Sequence, residues 1–577
     1  MSSPAKRYRP EYITINADYS VLNTKERDRC PANSLAEYLS TSILKHEGVK
    51  KALIDYRTKQ ELSYAELHYD SMKFANVLKK LGFTKSDLVL FFGDNSIEYA
   101  VCMLGVIFLG SVYCPVKPAN GPFELSEQVN DSKSSLLIID SEKLTVLESA
   151  LANETYRDKI KKNLKLIIVI NSGGRDHDDT SISKLRIALN DDGVSSYKDI
   201  MKTDVENKSI DKFDVNLDDK LIVVYTSGTT GLPKGAIHSN RSVLSSLVFF
   251  DNPFKHHEFA FWFPFGHISG LMVIFANLIQ GLTNTLFKEA KLDDILELVA
   301  SKKIPYVWIS PEHASMMSKR DYTQSYDLSD LKTIRCGGSK IPPNQSESIR
   351  QRYGVNFYEC YGCTEFMFGV SNEDIIRGIW KPGDVGRPTP GIELKIKDVN
   401  SDRSLPAYER GEICLRGPPR FVGYLNNKQA TDATIDKDGW FHSGDVGYYD
   451  ETGALFIVDR IKELLKFRAW SVSPNEIEDF LLRQTDVEEV CVIGVKHSLD
   501  VNHLRAYIKL RNDSQMTKQE LIELVNGKCI RSPCTIFLWP MNAIYLSLSL
   551  SLREYGLSKT ITRRCGIYFE NASNIDW

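Results

Sequence analysis

Residues 225 to 235 read YTSGTTGLPKG, so Thr226, Ser227, Gly228, Thr229, Thr230 and Gly231 place four hydroxyls and closely spaced backbone N–H groups ahead of the cation of Lys234. The apolar run LIVV at 221 to 224 lies directly upstream and predicts a strand that feeds this loop. Amides and hydroxyls turned toward one concavity beside a point charge meet the needs of a polyphosphate, which makes a nucleoside triphosphate the expected ligand. The spacing is not G-x-x-x-x-G-K-S/T, so an ordinary Walker loop is excluded. Taken alone, a glycine-rich loop is also compatible with a flexible linker.

Further segments carry chemistry-bearing residues in order along the chain: PFGHISGL (264 to 271), RCGGSKIP (335 to 342), YGCTE (361 to 365), GWFHSGD (439 to 445) and DRIKELLKF (459 to 467). Together with YTSGTTGLPKG they resemble the signatures of the adenylate-forming enzymes, which include acyl-CoA and aryl-CoA synthetases, firefly-type luciferases and adenylation domains. The texture is most similar to the insect luciferase and coumarate-CoA ligase branch, from about residue 30 to about 525.

That resemblance implies ATP-dependent activation of an apolar fatty or aryl carboxylic acid to an acyl-adenylate with loss of pyrophosphate, followed by thioester formation with coenzyme A. It implies that residues 226 to 231 and Lys234 grip the β- and γ-phosphates, that Thr364 donates to the α-phosphate, and that Glu365 binds Mg²⁺. Gly337, Gly338 and Ser339 would form the turn beside adenine, Tyr361 would stack on the base with Gly362 following, and Asp445 would accept from the ribose hydroxyls. Arg460 would contact ribose or phosphate. His267 would line the acyl pocket or the route of the thiol, Lys462 would stand at an interdomain hinge, and Lys466 would reach the nucleotide and assist the second step. Two alternatives stay open: oxygenation of an adenylate, as in luciferases, and an impaired protein that binds nucleotide or acyl group without completing the chemistry.

Three departures from the family pattern bear on these expectations. After Lys466 the chain reads RAWSV, so Arg468 and Ala469 stand where the coenzyme A path is expected, and a methyl group replaces a glycine there. Glu359 and Cys360 precede Tyr361 in place of glutamine and glycine. Beyond about Asn526 the expected glycine–lysine ending is missing, and Lys559 in SKTITRR is a faint substitute. Loss of one preorganised donor of that kind costs on the order of 10²- to 10³-fold in rate. The tail from 526 to 577 reads as a divergent segment, either alternative coding sequence or, less in keeping with its Pro540, Asn542 and serines, a membrane-inserted stretch.

The elements that must position these residues are also legible. Apolar runs at 87 to 92, 135 to 140, 165 to 170, 220 to 225 and 307 to 310 alternate with helical patterns, which predicts an α/β fold of parallel-rich sheets layered with helices. NSIEYAVCMLGVIFLG at 95 to 110 predicts a buried helix opened by Asn95 and Glu98 at capping-box spacing. From about 383 short strands and glycine turns predict a β-rich subdomain that closes a large domain spanning 1 to 460. A small, atypical α+β domain is expected at 461 to 525, with a helix opened by Thr517 and Glu520.

The 577 residues exceed a single core, and 72 basic against 75 acidic side chains leave a net charge of −3, so bulk charge offers nucleic acid no attraction. Eleven scattered cysteines predict reduced thiols, and the Cys360–Cys363 spacing has no second pair at zinc-ligand distance. The first residues lack an apolar leader, no stable membrane span is expected, and the final IDW is not a peroxisomal tripeptide, so a cytoplasmic place is expected over a peroxisomal one.

Overall fold

The computed structural model describes residues 12–24, 32–48, 51–171, 183, 185–186, 193–205, 213–226, 233–247, 258–371, 381–467, 470–497, 501–511, 514–517, 520–521 and 536–540. The fold is α/β. Parallel strands Leu88–Phe92, Val112–Val116, Leu136–Asp140, Leu166–Ile170, Val194–Ser196 and Lys220–Thr226 form most of an eight-stranded sheet. Lys234–Ser239 and Gly423–Tyr424 extend it antiparallel beyond Lys220–Thr226. The central strands are buried on both faces, which is why their sequences run continuously apolar instead of alternating.

The helix Ile97–Leu109 is buried along most of its length, as the sequence predicts, but its cap is different. Ser96, not Asn95, accepts the Tyr99 N–H. Asn95 instead donates to the carbonyls of Phe263 and Phe287 and accepts from the Phe265 N–H at 2.8 Å, so a buried side chain serves long-range contacts where local spacing suggested a cap. Glu98 accepts the Asn171 N–H, and burial pushes its carboxyl up to about 7.

A second parallel unit positions the site. Strands Tyr306–Ile309, Thr333–Gly337 and Asn356–Tyr361 run parallel in a five-stranded sheet whose far edge, Val370–Ser371 and Arg387–Pro388, turns antiparallel. The β-rich texture expected from 383 becomes a six-stranded antiparallel sheet, in which Glu393–Lys397, Gly411–Arg416, Phe441–Tyr449 and Leu455–Arg460 are joined by Ile13–Ile15 and Val21–Asn23 from the other end of the chain. A four-stranded sheet, Glu258–Phe261, Thr283–Leu286, Leu53–Asp55 and Glu61–Leu62, completes the large unit.

Beyond Arg460 a separate sheet forms around its own apolar cluster, with the helix Pro474–Leu482 packed on Val487–His497 and Val501–Leu510. Thr517 and Glu520 make the expected reciprocal capping bonds. Among the described residues no helix is long and apolar enough to cross a membrane.

Candidate active site

Tyr361 and Asp445 come from different sheets and meet directly. Tyr361 ends the strand Asn356–Tyr361, and its hydroxyl donates to Asp445 Oδ2 at 2.7 Å. Asp445 and Arg460 are register partners on adjacent strands, which brings Arg460 Nε to 3.1 Å from Asp445 Oδ1. Burial raises the Asp445 carboxyl above the usual aspartate range, the Tyr361 and Arg460 contacts draw it back, and nearby Glu365 adds to the rise. A carboxylate has about four lone-pair directions, so these two donors leave acceptor capacity for the vicinal hydroxyls of a ribose.

A second cluster surrounds Glu365. The Tyr424 hydroxyl donates to Glu365 Oε1 at 2.7 Å, and Lys234 Nζ stands 5.2 Å from the centroid of the same tyrosine ring. The pairing of Ala236 with Tyr424 in the eight-stranded sheet sets this arrangement, because it carries Tyr424 across from the Lys234 strand. His238, fully buried, donates from Nε2 to the Thr364 carbonyl at 2.7 Å, and the Phe421 N–H donates to the Glu365 carbonyl at 2.8 Å. Burial pushes the His238 imidazole down to about 4, which keeps it neutral with its proton on Nε2. Residues 364 and 365 are thus tied to the strand Lys234–Ser239, which follows the glycine-rich loop, and to the segment 421–424 beside it. Tyr424 and His238 lie in none of the motifs, and the signal for them is the strand pairing.

Thr226 and Lys234 are register partners, so the loop between them is closed by an antiparallel pair. Ser227, Gly228, Thr229, Thr230 and Gly231 lie outside the described residues. Gly337 ends its strand beside Cys360; a Cβ at Gly337 would stand 2.6 Å from Cys360 Sγ, so only glycine permits this approach. Gly338, Ser339 and Gly362 are exposed at the ends of the same strands. Glu359 is 3% exposed and shares its strand face with Cys336, opposite Cys360. Cys360 and Cys363 are unpaired thiols, each pushed up by burial.

His267 belongs to neither cluster. It caps the helix Ile268–Gln280, accepting the Ser269 N–H at Nδ1, which places its proton on Nε2. The residue is exposed at the surface, yet loss of hydration to the atoms around it, reinforced by Lys117, lowers its pKa and keeps it neutral. Lys462 is exposed in the short turn Ile461–Glu463 that follows Arg460. Lys466 lies in the strand Leu465–Phe467 opposite Ser471. Arg468, Ala469 and Lys559 lie outside the described residues.

The Glu365 carboxylate suits a hard divalent cation: it supplies oxygen ligands, and the Tyr424 bond fixes the orientation of the group. Carboxylate, cation and buried acceptor therefore face one region at the carboxyl ends of parallel strands, the edge at which α/β sheets bind ligands.

Comparison with known proteins bears on this geometry. The AMP-binding enzyme family matches residues 41–425, and the AMP-binding enzyme C-terminal domain matches residues 476–534. The chain is 29% identical over 488 residues to a probable CoA ligase of Humulus lupulus, covering 83% of this chain and 84% of the relative. It is 28% identical to 4-coumarate–CoA ligase 4 of Arabidopsis thaliana, with 83% and 82% covered, and 27% identical to luciferin 4-monooxygenase of Photinus pyralis, with 82% and 84% covered. Its fold matches ATP-bound MatB from Rhodopseudomonas palustris with a TM-score of 0.74 at 23% identity, covering 88% of this chain and 95% of that one. With more than half of its length matched and both domains represented, the chain belongs to the AMP-binding enzyme family.

Proposed function

We propose that the protein joins the carboxylate of an organic acid to AMP at the expense of ATP and passes the acyl group to coenzyme A. The observation that carries this reading is the convergence of Tyr361, Asp445, Arg460, Glu365 and Lys234, drawn from three sheets, on one strand-end region. The ATP-bound structural neighbour and the CoA-ligase names of the relatives are consistent with it.

In the proposed first step a carboxylate oxygen bonds to the α-phosphorus as the bond to the bridging oxygen of pyrophosphate breaks. Tyr361 covers the base and Asp445 accepts from the ribose hydroxyls, which fixes the nucleoside. Thr226, Ser227, Gly228, Thr229, Thr230, Gly231 and Lys234 hold the outer phosphates, and Thr364 donates to the inner one. When bound by Glu365, Mg²⁺ supplies neutralising charge to the phosphate oxygens. Arg460 balances Asp445. In the second step the thiol sulfur of coenzyme A attacks the acyl carbon and AMP leaves; Lys466, Arg468 and Ala469 border the thiol's path, Lys462 is the hinge, and His267 is the neutral wall of the acyl side.

ATP–pyrophosphate exchange across a panel of acids tests the first step. Acid-dependent exchange that disappears in Lys234→Ala together with Asp445→Asn is the expected result. A chain that binds ATP and exchanges pyrophosphate with no acid would end the proposal. Thioester formation with coenzyme A against light emission with luciferin then separates the ligase outcome from the oxygenase one.

A further inference from the structure

Cys414, His442 and Glu412 bring a thiol, an imidazole and a carboxylate together on one face of the six-stranded sheet, and no step of the proposed reaction uses them. On the strand Gly411–Arg416, Ile413 and Leu415 enter the apolar core, so Glu412 and Cys414 turn to the opposite face. Cys414 is the register partner of His442, but Glu412 pairs with Val446, so residues 443 to 445 bulge against Ile413 alone. Asp445 stands in that bulge.

The donor atoms converge. His442 Nδ1 lies 2.8 Å from Glu412 Oε2 and 3.6 Å from Cys414 Sγ, and the three donor atoms fall within 4.8 Å of one another. A tetrahedral zinc ion with ordinary bond lengths holds nitrogen and sulfur about 3.6 Å apart, and nitrogen and oxygen about 3.4 Å apart. The first spacing is already met, and the second requires the carboxylate to retreat by roughly 0.6 Å.

The groups behind the donors are also those of a metal centre. His442 Nε2 faces Asp436 Oδ2 at 3.4 Å, which turns Nδ1 to the cluster, and Asp436 is itself held by the N–H groups of Asp438 and Trp440. Glu412 Oε1 accepts the Gly444 N–H at 3.1 Å, which leaves Oε2 to the cluster. The lysines paired with Cys414 and Glu412 on the adjoining strand are engaged elsewhere: Lys395 lies over the Trp440 ring at 4.2 Å, and Lys397 pairs with Asp402 at 2.7 Å. Cys414 is 0% exposed, while the side chains of His442 and Glu412 keep 17% and 15% of their surface, so an ion can enter past them.

We propose that Cys414, His442 and Glu412 form a zinc site that fastens the bulge carrying Asp445, with water in the fourth position. Thiolate and imidazole favour zinc over the hard magnesium ion proposed at Glu365. The ion takes the place of the proton that links His442 Nδ1 to Glu412 and also displaces the thiol proton, so two protons leave for each ion bound. In the metal-free chain the Nδ1 proton keeps the cluster closed. The site stands independently of the adenylation reading.

The test uses the full chain, stripped with a chelator under reducing conditions and titrated with Zn²⁺ and, separately, Co²⁺. Zinc is expected to bind with a Kd below about 1 μM and to raise the melting temperature, and cobalt to give a sulfur-to-metal charge-transfer band. Cys414→Ser and His442→Gln are each expected to abolish that band and to weaken zinc on the order of 10²-fold or more, while Asp436→Asn, which removes no ligand, weakens it about 10-fold. A wild-type cobalt complex with no sulfur band, a band that survives in Cys414→Ser, or a zinc Kd above about 1 μM overturns the assignment. The wild-type spectrum decides the matter even where a variant does not fold.

Discussion

Asp445 holds Tyr361 on one oxygen and Arg460 on the other while 7% exposed, and burial sets its carboxyl above the ordinary range. A raised carboxyl means that the folded state disfavours the charged form, so at neutral pH the ionised group lowers stability, and the loss sets in as pH rises through the unfolded value near 4 toward the folded one. Asp445→Asn is therefore expected to melt no lower than wild type at pH 7, while its thermal shift with ATP vanishes and kcat/KM for ATP falls on the order of 10²-fold. Differential scanning fluorimetry with and without ATP, together with kinetics, reads both; a lower melting temperature with an intact ATP response would refute the role. Asp445 and Tyr361 were legible because each stands in a compact string whose neighbours restrict its reading. Tyr424 and His238 were not, since a tyrosine beside a glycine and a histidine in an apolar strand are ordinary residues until strand register carries them to Glu365 and Thr364.

At the scale of the element, Asp445 depends on the turn before it. Gly444 adopts φ +72°, a left-handed conformation that suits glycine, and its N–H donates to Glu412 Oε1 at 3.1 Å. The other oxygen of Glu412 accepts from His442 Nδ1 at 2.8 Å, while Ser443 Oγ donates to the Ile413 carbonyl and accepts the Asp445 N–H. Hydrogen bonds to Cys414 and Glu412 push the His442 imidazole up to about 10, so it is charged at neutral pH. Its raised pKa gives a contribution that is complete below the unfolded value of about 6.5. That contribution is lost as pH rises through about 10. His442→Gln is expected to cost about 1.5–3 kcal/mol at pH 6 and progressively less toward pH 10. Denaturant melts of both proteins across that range check it, and a gap that widens with pH would count against the clasp. The apolar strands were legible as runs, but their partners were not: Ile13–Ile15 and Val21–Asn23 join a sheet whose other strands lie beyond residue 392, a pairing that depends on tertiary packing and leaves no local trace.

At the scale of the whole molecule, the strand Val501–Leu510 joins three other strands of the small sheet, one of them from the segment after residue 535. One edge pairs throughout with Val487–His497. The other is shared: Phe467 pairs with Val501, and Ile536–Pro540 runs parallel to Leu504–Ile508. The C-terminal family match reaches residue 534, past the boundary near 526 expected from the sequence, and the strand that begins at 536 supplies backbone pairing to the small sheet. Composition could not foretell this, because an edge recruits a strand through backbone hydrogen bonds, with little demand on side-chain identity. A chain cut after 525 would leave half of that edge uncovered, and the cluster built on Ile477, Leu481, Leu504 and Ala506 would lose its cover on that side. In calorimetry the chain ending at 525 is expected to lose or sharply lower the transition of the small domain and to aggregate through the open edge, whereas the chain ending at 540 keeps it. The large unit, whose sheets draw on no strand beyond Arg460 among the described residues, should melt alike in both and keep its thermal shift with ATP. If the two truncations behave identically, the strand at 536 to 540 adds nothing to the domain, and that stretch is dispensable in the fold.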